Sequence, residues 1–242
     1  MQQCMSETRY KKIREVLSKR QQDLTLLLEE VHKPHNVSAI IRSADAVGIH
    51  KIHAVWAEDE PMRKGTAMGS QIWVETQSHS NLPDAAACLK EQNMQIVVTH
   101  LDDSSIDFRE IDYTRPTAIL LGQEKDGATA EAIALADQCI AIPMLGMVQS
   151  LNVSVAAALI LYEAQRQREN AGMYERAHLP ESEAQDVLFT GGFPVLSKEC
   201  QRRHLPYPHI NDNGCIEADE AWWNALQFSR ANDSSVNDNS EK

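Results

Sequence analysis

Residues 142–168 read IPMLGMVQSLNVSVAAALILYEAQRQR and hold Gly146, Gln149, Ser150 and Asn152 between a short apolar run and a long one. A loop that leaves a strand end and enters a helix N-terminus presents backbone N–H groups to a ligand, and open α/β folds place ligands there. Ser150 or Asn152 also suits the cap of the following helix, and a cap residue still faces whatever binds at that end. Two other segments carry reactive side chains: HKPHNVSAIIRSADAVG at 32–48 contains Asn36 and Arg42, and AILLGQEKDG at 118–127 contains Gly122 and Glu124. Arg42 could fork onto a phosphate or carboxylate, or could simply pair with Asp45 on the surface. Six positions along a helix turn through about 240°, so Asn36 and Arg42 need not share a face, although a folded-back preceding turn would let both line one groove. Glu124 could face a pocket or pair with Lys125 or Arg115.

Several chemistries are excluded. No GxGxxG follows a strand, so a conventional dinucleotide site is unsupported. Gly122 and Gly127 have P-loop spacing, but Ala128 and Thr129 stand where Lys and Ser/Thr are required. His32 and His35, or His50 and His53, lack a cluster of further ligands, so no metal is expected.

The elements that must position these residues alternate along the chain. Helix-forming composition over 8–22 precedes an apolar run at 24–31, which suits a buried strand. Asn36 can cap a helix that runs to Val47 and stops at Gly48. Strands are expected at 51–56, 95–100, 117–121 and 138–143, with helices at 82–92, 129–136 and 152–168. The alternation predicts an α/β fold with a mainly parallel, Rossmann-like sheet. Beyond Gly172, prolines break up short helices, 217–228 could form a last amphipathic helix with Trp222 and Trp223, and the polar stretch 229–242 reads as disordered. The expected organisation is a basic helical extension over 1–22, a core over 23–170, a helical C-terminal extension over 171–228 and a polar tail.

The chain has 242 residues, 43% of them apolar, enough for one sizeable core. The N-terminus lacks an apolar signal region, and the longest apolar run, 155–162, falls short of the roughly 20 residues a membrane span needs. Five dispersed cysteines (Cys4, Cys88, Cys139, Cys200, Cys215) without a CxxC pair point to reduced thiols in a cytosol, not to disulfides or zinc. A net charge of −12 argues against nucleic acid only if charge is spread evenly. It is not: Arg9, Lys11, Lys12, Arg14, Lys19 and Arg20 outnumber Glu7 and Glu15 in the first twenty residues. Lys198, Arg202 and Arg203 form a second basic group, and Arg166 and Arg168 a third. Each alone could be a solvated face; together, flanking one core, they suggest an RNA footprint with salt-dependent binding.

The three segments at 32–48, 118–127 and 142–168 resemble, in order and spacing, the motifs of the SpoU (TrmH) branch of the SPOUT RNA 2′-O-methyltransferases. The similarity runs over about 8–228 and is nearest to the branch that methylates guanosine 18 in the D-loop of tRNA. The resemblance implies S-adenosylmethionine as methyl donor, with no metal, and a homodimer. It also implies a trefoil knot built from about 120–151, which no sequence periodicity could indicate because knots are nearly absent from proteins. Arg42 then matches the essential arginine, supported by Asn36, Glu124, Ser150 and Asn152. His100, Gly122, Ile142, Met144 and Leu151 match cofactor contacts made largely through backbone atoms; Ile142 and Leu151 would read equally well as core.

A guanidinium ordinarily titrates above about 12, so holding one neutral near pH 7.5 costs ~6 kcal/mol. The cheaper scheme has Arg42 fork onto an RNA phosphate and orient the hydroxyl, while a phosphate oxygen or water takes the proton. The helix from Asn152 presents Val153, Ala156, Ala157, Ile160, Leu161 and Ala164, a face suited to a dimer or to burial within one protomer. Two alternatives stand beside the tRNA reading: a ribosomal RNA 2′-O-methyltransferase, and an RNA-binding module that has lost catalysis. The five matched polar residues argue against the second. Related rRNA enzymes carry a globular N-terminal domain, so the twenty or so residues before this core favour tRNA. Glu58, Asp59 and Glu60 put negative charge in the loop after the second strand, so neutralising them should raise affinity if that loop faces RNA.

Overall fold

Seven short strands, apolar at the centre and polar at the edges, are stacked in parallel. The computed structural model describes residues 3–56, 72–123, 125–176 and 179–227. The acidic group Glu58–Glu60, Glu124 and the stretch 229–242 lie outside the described residues. The strands are β1 (Leu24–Glu29), β2 (Lys51–Val55), β3 (Glu75–His79), β4 (Gln95–Thr99), β5 (Ile106–Asp107), β6 (Thr117–Leu121) and β7 (Gln138–Ala141). Their order across the sheet is β3-β2-β1-β6-β4-β7-β5, and all six pairings are parallel. The mainly parallel α/β sheet expected from the sequence is therefore present.

Strand alternation divides the core in two. Leu24, Leu26 and Leu28 of β1, with Ile119 and Leu121 of β6, pack beneath α2 (Pro34–Ala46) and α5 (Val153–Asn170). Leu27, Ala118 and Leu120 point the other way, towards α3 (Leu82–Glu91) and α4 (Ala130–Leu135). Strands covered on both faces read as continuous apolar runs, as LTLLLE and TAILL do. Helix α2 begins earlier than expected. Lys33 is its cap and Pro34 its first residue, because proline's fixed φ and missing N–H suit that position; Asn36 is inside the first turn. At the far end Gly48 takes φ +84°, and a Cβ there would meet the Lys19 carbonyl oxygen at 2.8 Å.

The chain divides into two compact units, 18–179 and a second built from 1–17 with 180–242. In that second unit α1 (Glu7–Leu17) packs with α6 (Glu181–Gly192), joined by α7 (Pro194–Arg203), the β8–β9 hairpin (His209–Ile210, Ile216–Glu217) and α8 (Glu220–Gln227). Described residues from the N-terminal and C-terminal parts of the chain thus make one body. Cys4 and Cys215 are antiparallel bridge partners within it and form a disulfide, leaving Cys88, Cys139 and Cys200 free. This corrects the expectation of five reduced thiols, and with it the redox argument for a cytosol. A pairing across 211 positions depends on the two termini meeting in space, which cysteine spacing does not encode.

Candidate active site

The ends of β4, β6 and β7 open into a cavity of about 300 Å³. Thr99 ends β4 and His100 follows it, Leu121 ends β6 and Gly122 follows it, and Ile142, Met144, Ser150 and Leu151 come from the loop that follows β7. All five residues expected to contact a cofactor line this one cavity, together with Ser150. Its walls pair apolar side chains from Ile140, Val153 and Ala156 with loop backbone, the mixture that small-molecule sites use. Gly122 is required by close approach: a Cβ would lie 2.3 Å from the Ala128 nitrogen and 2.4 Å from the Gly127 carbonyl carbon. After it the chain turns tightly, with Gln123 and Gly127 exchanging both backbone hydrogen bonds, 3.0 and 3.1 Å, and Gly127 at φ +73°.

Asn152 caps α5: its side-chain oxygen accepts from the Ser154 amide at 2.9 Å. Its amide group donates at 3.1 Å to the side-chain oxygen of Asn36, which is buried. Two residues 116 positions apart thus join the start of α2 to the start of α5 beside the cavity. Ser150 is exposed and is not the cap. Arg42 lies on the exposed side of α2 and outside the cavity lining, so the structure separates it from Asn36 as the helical angle between them requires. The surface pair with Asp45 does not form, because Asp45 is taken by Arg20.

Arg20 and Arg168 correct the RNA footprint. Both are fully buried. Arg20 donates to the Ile49 carbonyl at 2.8 Å and pairs with Asp45. Arg168 spends its guanidinium on Asp23, Gln21 and the carbonyls of Tyr113, Asp23 and Arg115. Buried charges need compensating partners; every guanidinium nitrogen of Arg168 has one, while Arg20 leaves Nε without a hydrogen bond, and these two tie the segment before β1 to α2 and to the end of α5. The other cations lie at or near the surface, most of them with local partners. Lys11 pairs with Glu7, Lys12 with Glu15, Arg14 with Glu181, Arg166 with Glu163, and Arg202 and Arg203 with Glu199. Arg9 donates to the Gly191 carbonyl, and Lys19 and Lys198 are exposed. Exposed pairs contribute only about 0–1 kcal/mol, so a phosphate can compete for the exposed cations; Arg203, its side chain 14% exposed, is held by Glu199 and the Ala225 carbonyl as well.

The face of α5 proposed for a dimer is also corrected. Ala157, Ile160, Leu161 and Ala164 are fully buried, α5 packing on α2 within the protomer. On α5 the large apolar side chains left exposed are Val155, Leu159 and Tyr162, and the loop before it exposes Leu145, Met147 and Val148. Among the described residues no group of three His, Cys, Asp or Glu side chains is arranged to hold a metal ion, and no helix is long and apolar enough to cross a membrane.

The pattern of the SpoU rRNA Methylase family matches residues 23–162, and that of the SpoU rRNA methylase C-terminal region matches 166–219. A tRNA (guanosine(18)-2'-O)-methyltransferase of Escherichia coli is 62% identical over 226 residues, covering 92% of this chain and 99% of that one. The enzyme of the same name from Thermus thermophilus is 54% identical over 184 residues, 76% of this chain and 95% of its own. Among solved structures, the A. aeolicus TrmH/SpoU tRNA modifying enzyme superposes with a TM-score of 0.71 at 45% identity, over 78% of this chain and 96% of that one. The SpoU methyltransferase AviRb from Streptomyces viridochromogenes, in complex with AdoMet, gives 0.56 at 30% identity over 62% of each chain. The chain belongs to the SpoU methylase family.

Proposed function

We propose that this protein methylates the ribose 2′-hydroxyl of guanosine 18 in tRNA, with S-adenosylmethionine as donor. The observation that carries the reading is the 62% identity to a tRNA (guanosine(18)-2'-O)-methyltransferase along nearly the whole of both chains. The cavity fits the donor. Its volume of about 300 Å³ is at the small end of the range for ligand sites, and at Gly122 the wall is bare backbone against which no side chain could stand. His100, Gly122, Ile142, Met144 and Leu151 would hold the donor, chiefly through main-chain groups.

S-adenosylmethionine supplies an electrophilic methyl on its sulfonium, so the protein's task is alignment and not metal activation. Asn36 and Asn152, fixed on each other, brace the helix starts beside the reacting atoms; Ser150 faces the same space, and Glu124 is assigned there by its motif. Arg42 forks onto a phosphate next to the target ribose and orients the hydroxyl. The ribose oxygen gains the methyl as the carbon–sulfur bond breaks, and the hydroxyl proton leaves to a phosphate oxygen or water.

The knot, about 120–151, belongs to this reading: family membership supports it, as does a cavity formed by the segments that would be threaded. So does a homodimer that completes the pocket, supported by the exposed Val155, Leu159 and Tyr162 beside Leu145 and Met147. Arg9, Lys11, Lys12, Arg14, Lys19, Arg166, Lys198, Arg202 and Arg203 are the cations proposed to meet tRNA phosphates. A tRNA substrate puts the protein in the cytoplasm. The test is transfer of labelled methyl to an unmodified tRNA transcript and, in parallel, to ribosomal RNA. Label on tRNA alone is expected; label on ribosomal RNA alone would replace tRNA as substrate, and binding of RNA with no transfer to either would leave a binding module.

A further inference from the structure

Two carboxylates that the reaction does not use stand at the end of β1, Glu29 as its last residue and Glu30 just after it. Glu29 is 4% exposed, so its charge must be met from within the fold. Both donors come from Thr129: its amide at 3.1 Å and its hydroxyl at 2.5 Å. The same hydroxyl accepts the Ala132 amide and caps α4, so the carboxylate, the loop end and the helix start form one chain of hydrogen bonds. Among the described residues no cation forms an ion pair with Glu29. Glu30 is left-handed, φ +49°, a conformation uncommon outside glycine and kept only where surroundings fix it. Its amide donates to the Val55 carbonyl at 2.9 Å, and its carboxylate accepts from the Gln123 side chain at 2.8 Å.

Gln123 and Thr129 bound the turn that begins after Gly122 and walls the donor cavity. The turn's own backbone pairing closes its neck but does not set its angle to the sheet. Two neighbouring carboxylates grip it instead, one at each end. We propose that Glu29 and Glu30 are positioning residues that set the methyl-donor loop from the end of β1, acting through Thr129 and Gln123. This rests on the reading of the cavity as the S-adenosylmethionine site.

The test is calorimetric binding of S-adenosylmethionine to the full chain, with circular dichroism to verify folding. Glu30→Ala and Gln123→Ala should each weaken binding about five- to tenfold, the scale of one charge-assisted hydrogen bond. The double variant should be no weaker than either single one, because both remove the same contact. Glu30→Gln keeps an acceptor and should restore near wild-type affinity. Glu29→Gln and Thr129→Val should show the same non-additivity. In turnover the loss should appear in KM for the donor, with kcat and KM for tRNA unchanged, a split that a general loss of stability would not give. Folded variants that bind as tightly as wild type, or single effects that multiply in the double variant, would overturn the clamp while leaving the donor site standing. A wild-type chain that fails to bind the donor would overturn the site itself and the clamp with it.

Discussion

Arg42 stands on the open side of α2 with Asp45 already engaged by Arg20, so its guanidinium is available for an outside anion. A fork that holds a phosphate in two places cannot be replaced by a point charge. Arg42→Lys should therefore lower kcat about a hundredfold with donor affinity unchanged; a variant that retained most of the rate would rule out the bidentate role. Gly122 is constrained by space. In Gly122→Ala the new methyl would collide with the Ala128 backbone, which no side-chain rotation relieves, so donor affinity should drop at least tenfold with about 1–3 kcal/mol of stability. Undiminished binding, measured by calorimetry, would contradict the close approach. The residues of this site were legible because their motifs are short and local. What was not legible is contact. Asn36 has the chemistry of a helix cap, but Pro34 takes the first turn, and the bond from Asn152 depends on α2 lying against α5. Arg20 and Arg168 have the chemistry of RNA ligands, because sequence gives charge and not burial.

Among the elements, the central strands were readable because both faces are covered, while β3 and β5 were not expected. As edge strands they have no apolar run to mark them: β3 reads ETQSH and β5 is two residues long. β3 nevertheless contributes His79, whose Nε2 lies 2.8 Å from Nδ1 of His53 on β2, the rings stacked. Burial first, then the neighbouring His79 and Lys51, push His53 down to about 4 from its ordinary 6.5. The fold therefore favours neutral His53. That stability is fully present above about pH 6.5 and is lost as pH falls through about 4, at most ~3 kcal/mol. Denaturant titrations should show wild type losing stability between these limits, and His53→Gln losing less; identical slopes would remove His53 as the cause. The long helix α5 carries the opposite lesson. Its apolar stripe was visible, but a stripe does not say whether a second helix or a second chain covers it, and α2 does.

For the whole molecule, the joining of residues 1–17 with 180–242 into one unit, closed by Cys4–Cys215, had no local signal. Cysteine spacing and local composition do not encode a closure between segments so far apart in sequence. The same scale governs assembly. If Val155, Leu159 and Tyr162 meet a second copy, sedimentation should give a dimer, and Leu159→Glu should shift it to monomer with loss of methyl transfer; a wild-type monomer that is active would refute the dimer. The central claim concerns one atom on one nucleotide. The most direct measurement is to map the methylated ribose on an unmodified tRNA transcript after reaction with S-adenosylmethionine, using wild type and Arg42→Ala. A single 2′-O-methyl group at guanosine 18, absent with the variant, is the predicted result. Methylation at another position, or at guanosine 18 undiminished by the loss of Arg42, would contradict the account.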